Sequence, residues 1–298
     1  MSTELPRSAA TPWPALARLA AAERDVAARV AAGPVGQFFY EFIRFGLKQG
    51  WACLFGGIMV ALLIGTRYWY PATAPVSRYD FLFLSAVAAQ AALLTTRLET
   101  LDEAKVILLY HVTGTAMELF KTSVGSWVYP EPSFFHLGGV PLFTGFMYSC
   151  IGSYLFRAWR LFDFHFTNHP PLWSLGLLSV GIYVNFFAHH YVPDVRLLLF
   201  GTAILLFART TIYYRIWRVH RRMPLLLGLV LVSLFIWISE NIGTFTRTWL
   251  YPAQLHGWAL VPFGKLGSWF LLLIISYTMV AAFNRPREPD AGLGLNQQ

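Results

Sequence analysis

Eight mostly apolar stretches of 18 to 24 residues alternate with short polar ones along the chain, at roughly 50–68, 79–96, 104–122, 139–158, 171–188, 195–213, 223–243 and 259–282. A helix rises about 1.5 Å per residue and the hydrocarbon layer of a bilayer is about 30 Å thick, so about 20 apolar residues suffice to cross it. The pattern predicts an all-α fold, a polytopic membrane helix bundle of about eight transmembrane helices. Basic residues then sort the loops. Arg215, Arg218, Arg221 and Arg222 lie together between the sixth and seventh stretches, and Arg7, Arg18, Arg24, Arg29, Arg44 and Lys48 precede the first. The loops between hold only scattered charges such as Arg67, Arg78 and Arg247. Positive loops stay on the cytoplasmic side. The sorting therefore predicts cytoplasmic N and C termini and a multi-pass protein of the bacterial inner (plasma) membrane.

The stretches also repeat. ELFKTSVGSWVYP from Glu118 lines up with ENIGTFTRTWLYP from Glu240 at an offset of 122 residues. Glu118 matches Glu240, Thr122 matches Thr244, Trp127 matches Trp249, Tyr129 matches Tyr251 and Pro130 matches Pro252, where chance gives about one match. Val140 and Pro141 then match Val261 and Pro262, one residue out of step. This spacing predicts two parallel four-helix repeats, about 49–160 and about 171–283, inside an integral membrane domain over 38–283. Four helices return the chain to its starting side, so the copies share one orientation and a site is expected between them. A cytoplasmic arm over 1–37 precedes the domain. Within it, Leu16, Leu19, Val26 and Val30 suit either one face of an amphipathic helix on the inner leaflet or a disordered arm. A disordered cytoplasmic tail over 284–298 follows.

Composition agrees with the bilayer: 56% of residues are hydrophobic and 13% charged, against about 25% charged in soluble domains. The net charge of +8 is spread over loops and forms no single stripe, so membrane lipids and a hydrophobic small molecule are the expected partners and nucleic acid is not. Nothing in the pattern specifies an oligomeric state. Cys53 and Cys150 sit in apolar stretches, which suits small hydrophobes better than a disulfide or metal framework. No phosphate-cradling glycine loop, nucleophile elbow or H-E-x-x-H occurs, so no cofactor is expected. The eight histidines are spread across both sides, with His165 and His169 near Asp163 in one inner loop, His220 in another inner loop, His136, His189, His190 and His256 on the outer side, and His111 inside the third stretch. They cannot share one site, and no metal is expected. His189, His190 and Asp194 are the outer group with ligand chemistry.

Glu118 and Glu240 are the acidic residues placed inside stretches, away from their ends. A charge in mid-bilayer costs about 2.5–3.5 kcal/mol on insertion scales, so each should face the bundle interior and find partners. At helical spacing His111, Thr115 and Thr122 share a face with Glu118, while Ser233, Trp237 and Thr244 share one with Glu240. The candidate catalytic acids are therefore Glu118 and Glu240. The candidate substrate-binding residues are His111, Lys121, Thr122, Trp127, Tyr129, Thr244, Trp249, Tyr251 and Lys265. Two readings stand for the acids. A buried carboxyl can act as a general acid or proton carrier, or it can bridge structurally to Lys121, Lys265, Arg247 or the Trp and Tyr donors. The rings likewise suit either an interfacial belt or the shielding of a transient cation. Arg157, Arg160 and Asp163 in YLFRAWRLFDFHF read as an anchor for anionic headgroups, and Asn185 as an interhelical hydrogen bond.

At GTAMELFKTSVGSWVYPEP, GGVPLFTGFMY, FRAWRLFDF and ENIGTFTRTWLYP, the chain resembles the bacterial membrane family known as domain of unknown function 817, from Phe38 to Phe283. That resemblance carries over no activity. A Glu near a helix end followed by Gly, Tyr and Gly-x-Pro elements is also similar to membrane carotenoid-pathway proteins, the carotenoid hydratases and small-subunit lycopene cyclases. This second resemblance implies that Glu118 and Glu240 act on a polyene. Two functions are thus expected to compete. One is a cofactor-independent enzyme that protonates a double bond of a lipid or isoprenoid. The other is a secondary or proton-coupled transporter with its site between the repeats.

Overall fold

The computed structural model describes residues 33–289. The amphipathic helix read over Pro14 to Ala32 and most of the tail lie outside them, and residues 34–37 begin a helix. The chain divides into two units, one ending at Leu47 and one beginning at Lys48. The first holds most of helix α1 (Pro34–Ala52), which Pro34 opens at a position where its missing N–H is no loss.

The second unit carries helices α2 (Leu54–Trp69), α3 (Arg78–Thr95), α4 (Leu101–Ser123), α5 (Phe143–Phe162), α6 (Leu172–Ala188), α7 (Arg196–Phe207), α8 (Leu225–Phe245) and α9 (Gly264–Asn284). Each expected stretch holds one of them. Local chemistry sets their ends. The Thr100 hydroxyl accepts from the Glu103 N–H while the Glu103 carboxylate accepts from the Thr100 N–H, so two orphan donors at the start of α4 are satisfied reciprocally. The helices α4 and α8 stop in the same way. Gly125 (φ 71°) and Arg247 (φ 55°) turn left-handed. Ser126 N then donates to Lys121 O at 2.9 Å, and Thr248 N to Gly243 O at 3.0 Å. Glycine takes that conformation freely, whereas an L side chain there costs about 1–2 kcal/mol.

The all-α expectation holds for the bulk of the chain, with five short strands in the expected loops and at the edges of the expected stretches. His136–Leu137 (β1) pairs antiparallel with Val140–Pro141 (β2). His165–Thr167 (β3), Thr211–Arg215 (β4) and His220–Pro224 (β5) form an antiparallel sheet in that order, with His165 opposite Tyr213 and Arg215 opposite His220. β4 is why α7, the helix of the sixth stretch, ends at Phe207 and not near residue 213.

Among the described residues, α8 and α9 are each long and apolar enough to cross a membrane, and α1 with α2, broken at Cys53, makes a third if taken as one span. Eight such spans are not found. The helices α6 and α7 are apolar but only 17 and 12 residues long, and 12 residues reach about 18 Å. The helices α3 to α5 dilute their apolar residues with Arg78, Asp80, Glu103, Glu118, Lys121, Arg157 and Arg160. Exposed apolar stripes run along α6 at Trp173, Leu177, Val180 and Val184 and along α8 at Leu227, Leu231, Phe235 and Ile238.

One core gathers Leu175, Leu178 and Ile182 of α6 with Phe207, Phe270, Ile274 and Tyr277. Two smaller ones join Phe55, Met59 and Ala86, and Leu63, Tyr79, Leu82 and Phe143. Arg78 pins the loops above them. It pairs with Glu131 at 2.7 Å and donates to Thr66 Oγ1, Thr246 O and Thr248 Oγ1 at 3.1 Å each. The Asp80 carboxylate accepts from the backbone N–H groups of Phe134 and Phe135 and from Ser133 Oγ.

Candidate functional site

Glu118 and Glu240 each lie five residues before the last residue of their helix, α4 and α8. Both are buried, with 5% and 3% of their surface exposed. Neither is left bare. Glu118 Oε2 accepts from Trp127 Nε1 at 2.7 Å and from the Tyr129 hydroxyl at 2.5 Å, and Oε1 accepts from the Tyr148 hydroxyl at 2.8 Å. Glu240 Oε1 accepts a short hydrogen bond from the Tyr251 hydroxyl, and Oε2 accepts from Trp269 Nε1 at 2.6 Å. Burial, with Glu118 beside it, pushes the Tyr129 phenol well above its usual range, and burial with Glu240 does the same to Tyr251. Both phenols therefore stay protonated and remain donors.

The donors come from two places. Trp127, Tyr129 and Tyr251 lie in the chain just beyond the helix ends. Tyr148 of α5 and Trp269 of α9 come from the next helix, and their numbers differ by 121, the same step that separates Val140 from Val261. Small residues admit these rings. A side chain at Gly114 would place its Cβ 2.6 Å from the Tyr148 ring, so the glycine lets Tyr148 lie against α4 one turn below Glu118. At Gly243 a Cβ would fall 2.0 Å from the Trp249 ring. The position that holds Lys121 in α4 is thus filled, in α8, by an indole.

The two clusters meet. Val128 and Leu250 exchange both backbone hydrogen bonds, at 2.9 and 3.0 Å, in an isolated antiparallel bridge. The Trp127 and Tyr251 rings meet edge to face at 6.0 Å between centroids, and Tyr148 and Trp269 lie 6.5 Å apart. Lys265 holds its ammonium 4.5 Å from the Tyr251 ring centroid and 5.9 Å from that of Trp127.

Other expected members sit apart. Lys121 Nζ lies 2.9 Å from His190 Nε2 and 4.2 Å from the Phe186 ring centroid, and among the described residues no ion pair joins it to Glu118. The His111 ring lies tilted against Phe146 with 4.5 Å between centroids, and its Nδ1 has no hydrogen-bond partner; the Thr122 hydroxyl is also buried without one. Thr244 accepts from Trp258 Nε1 at 3.1 Å, and Trp249 makes no bond to Glu240. Asn185 works within its own hairpin, donating to Asp194 and accepting from Val195 N at the start of α7.

Arg157 is no headgroup anchor. It is fully buried, 3.6 Å from Glu99 and 4.0 Å from Glu103, while Arg160 reaches Glu103 at 3.2 Å. Burial pushes the Glu99 carboxyl up against the pull of Arg157. Of the histidines, His169 bonds the Tyr277 hydroxyl at 2.8 Å. His165 and His220 come together with Asp163 through the register of β3, β4 and β5.

A mostly helical chain with two or three helices able to cross a bilayer, and two buried glutamates satisfied by phenol and indole donors, defines a class of membrane-associated helical protein. Within it the chain belongs to the family described as protein of unknown function (DUF817), whose model matches residues 41–277. It is 41% identical over 248 residues to the uncharacterized protein YoaT of Bacillus subtilis (strain 168), a match covering 83% of this chain and 93% of that protein. No solved structure matches.

Proposed function

We propose that this protein is a multi-pass inner-membrane enzyme in which Glu118 or Glu240 protonates a carbon–carbon double bond of a lipid or isoprenoid, without a cofactor. In this reading α2 to α9 form a bundle of two parallel four-helix repeats, with both termini cytoplasmic. The more polar helices α3 to α5 cross with Glu103, Glu118 and Arg157 buried within the protein. The exposed stripes of α6 and α8 support it, because contiguous apolar surface of that kind fits acyl chains. The matched helix ends at Gly125 and Arg247 and the bridge between Val128 and Leu250 are what a duplicated unit facing its copy would produce.

The observation that carries the chemistry is the aromatic shell of the two acids. Protonating an alkene forms a C–H bond at the expense of the carboxyl O–H and leaves a carbocation. Electron-rich ring faces stabilise it until the neighbouring carbon returns a proton to the carboxylate and the double bond has moved. The faces of Trp127 and Tyr251 already take a cation here, the Lys265 ammonium. Trp127, Tyr129, Tyr148, Tyr251 and Trp269 orient the carboxyls while presenting ring faces nearby. Membrane lipids and a hydrophobic small molecule are the partners this site suits.

The test is expression in polyene-producing bacteria, with pigments and lipids compared by mass spectrometry for the wild type, Glu118→Gln and Glu240→Gln. A product that needs one of the glutamates is expected. Unchanged profiles across several lipid backgrounds, together with glutamate-dependent proton flux in liposomes, would replace the enzyme by a proton-coupled carrier.

A further inference from the structure

Asp163, His165 and His220 are brought together at the end of α5 opposite in sequence from Tyr148. Asp163 closes that helix in the left-handed region (φ 51°, ψ 62°), which turns the chain straight into β3. His165 is the first residue of β3 and His220 the first of β5, so the central strand β4 sets the two imidazoles on neighbouring ground, 5.5 Å between ring centroids. One ligand atom from each of the three residues lies within 4.8 Å of the others. Three features go beyond proximity. The Asp163 carbonyl oxygen holds His165 Nδ1 at 3.0 Å. A carbonyl only accepts, so Nδ1 carries the proton and Nε2 the lone pair, the orientation that ligating histidines take from a second contact. The His220 side chain is 4% exposed, and its Nε2 sits 3.4 Å from Asp163 Oδ2 with no hydrogen-bond partner. The carboxylate, in turn, is held by Arg215 at 3.0 Å, on a side chain 48% exposed.

We propose that Asp163, His165 and His220 form a binding site for one zinc ion or a similar first-row divalent cation. Two imidazoles and a carboxylate suit such a metal, whereas Mg²⁺ and Ca²⁺ prefer an all-oxygen shell. Three protein ligands leave a fourth position for water. Neighbouring ligand atoms of a tetrahedral zinc lie about 3.3 Å apart given zinc–nitrogen bonds of about 2.0–2.1 Å. The spacing of His220 and Asp163 already fits, and His165 must close in. Arg215 is the competitor. Its guanidinium supplies the positive charge that the metal would bring, and because it is half in water it can let go of the carboxylate.

The experiment uses the full-length protein purified in mild detergent and freed of metal with a chelator. It is titrated with Zn²⁺, with bound metal counted by mass spectrometry and with Co²⁺ as a spectroscopic substitute. About one ion per chain is expected. His165→Ala and His220→Ala should lose it, Arg215→Gln should bind more tightly, and His189→Ala and His190→Ala should bind as the wild type does. Absence of stoichiometric zinc, its retention in His165→Ala, or its loss in His189→Ala or His190→Ala would each overturn the proposal. Should His220→Ala fail to fold, His165→Ala and Arg215→Gln still decide.

Discussion

Replacing Glu118 by Gln and by Leu separates its architectural role from its chemical one. Three donors aim at this carboxyl, one indole and two phenols. In Glu118→Gln the amide oxygen can take the place of Oε2 and keep the bonds from Trp127 and Tyr129. The amide nitrogen then faces Tyr148, whose hydroxyl turns round to accept. All three contacts survive, and the change is expected to cost about 1 kcal/mol or less. Glu118→Leu strands all three. A buried donor without a partner costs about 1–3 kcal/mol. The indole N–H cannot rotate away, but the hydroxyls can, so the expected loss is about 3–5 kcal/mol. For a chain of this size that is a fall of about 6–20 °C in unfolding midpoint, at about 2–4 °C per kcal/mol. The assay is thermal unfolding of the purified protein in one detergent at one scan rate, since membrane proteins unfold irreversibly and midpoints compare only under matched conditions. If Gln and Leu lower the midpoint equally, or neither moves it, the hydrogen-bonded shell does not hold Glu118 as described. A Gln variant that unfolds like the wild type also makes any loss of product attributable to the missing proton.

Further outcomes follow from the same geometry. Gly243→Ala drives a methyl into the Trp249 ring and should destabilise by about 1–3 kcal/mol, seen as a lower midpoint and a shifted tryptophan emission. Arg247→Gly relieves a left-handed side chain and should stabilise by about 0.5–1 kcal/mol after the entropy of a glycine is counted, read in the same unfolding assay. Arg157→Met leaves Glu99 buried without its cation, while Glu103 keeps Arg160, and should cost about 3–5 kcal/mol. Adding Glu99→Gln should recover part of that, and a double variant no better than the single one would refute the pairing.

Much of the helical plan was legible because it rests on runs of apolar residues, and each of α2 to α9 overlaps one of the stretches that composition marks, with ends shifted by up to six residues. The offset of 122 pointed to Glu118 and Glu240 with Trp127, Tyr129 and Tyr251. Tyr148 and Trp269 were missed because they arrive from the following helix, where the offset has slipped by one, and because Tyr and Trp are different letters for the same task of donating to a carboxyl. Continuing the Val140 to Val261 step along α5 and α9 would have found them. The fate of Arg157 was hidden for another reason. Its partners are Glu99, just before α4, and Glu103, in the first turn of α4, and nothing local tells a buried ion pair from a headgroup anchor. The grouping of Asp163 with His165 and His220 depends on strands three to five residues long, too short to show an alternating pattern.

The single rung of backbone pairing between Val128 and Leu250 has a mechanical consequence. The loop over Glu118 and the loop over Glu240 are stitched at that point, so neither can lift without breaking two hydrogen bonds or carrying the other with it. A displacement of either loop is therefore handed to the other, and the surroundings of the two carboxyls are mechanically linked.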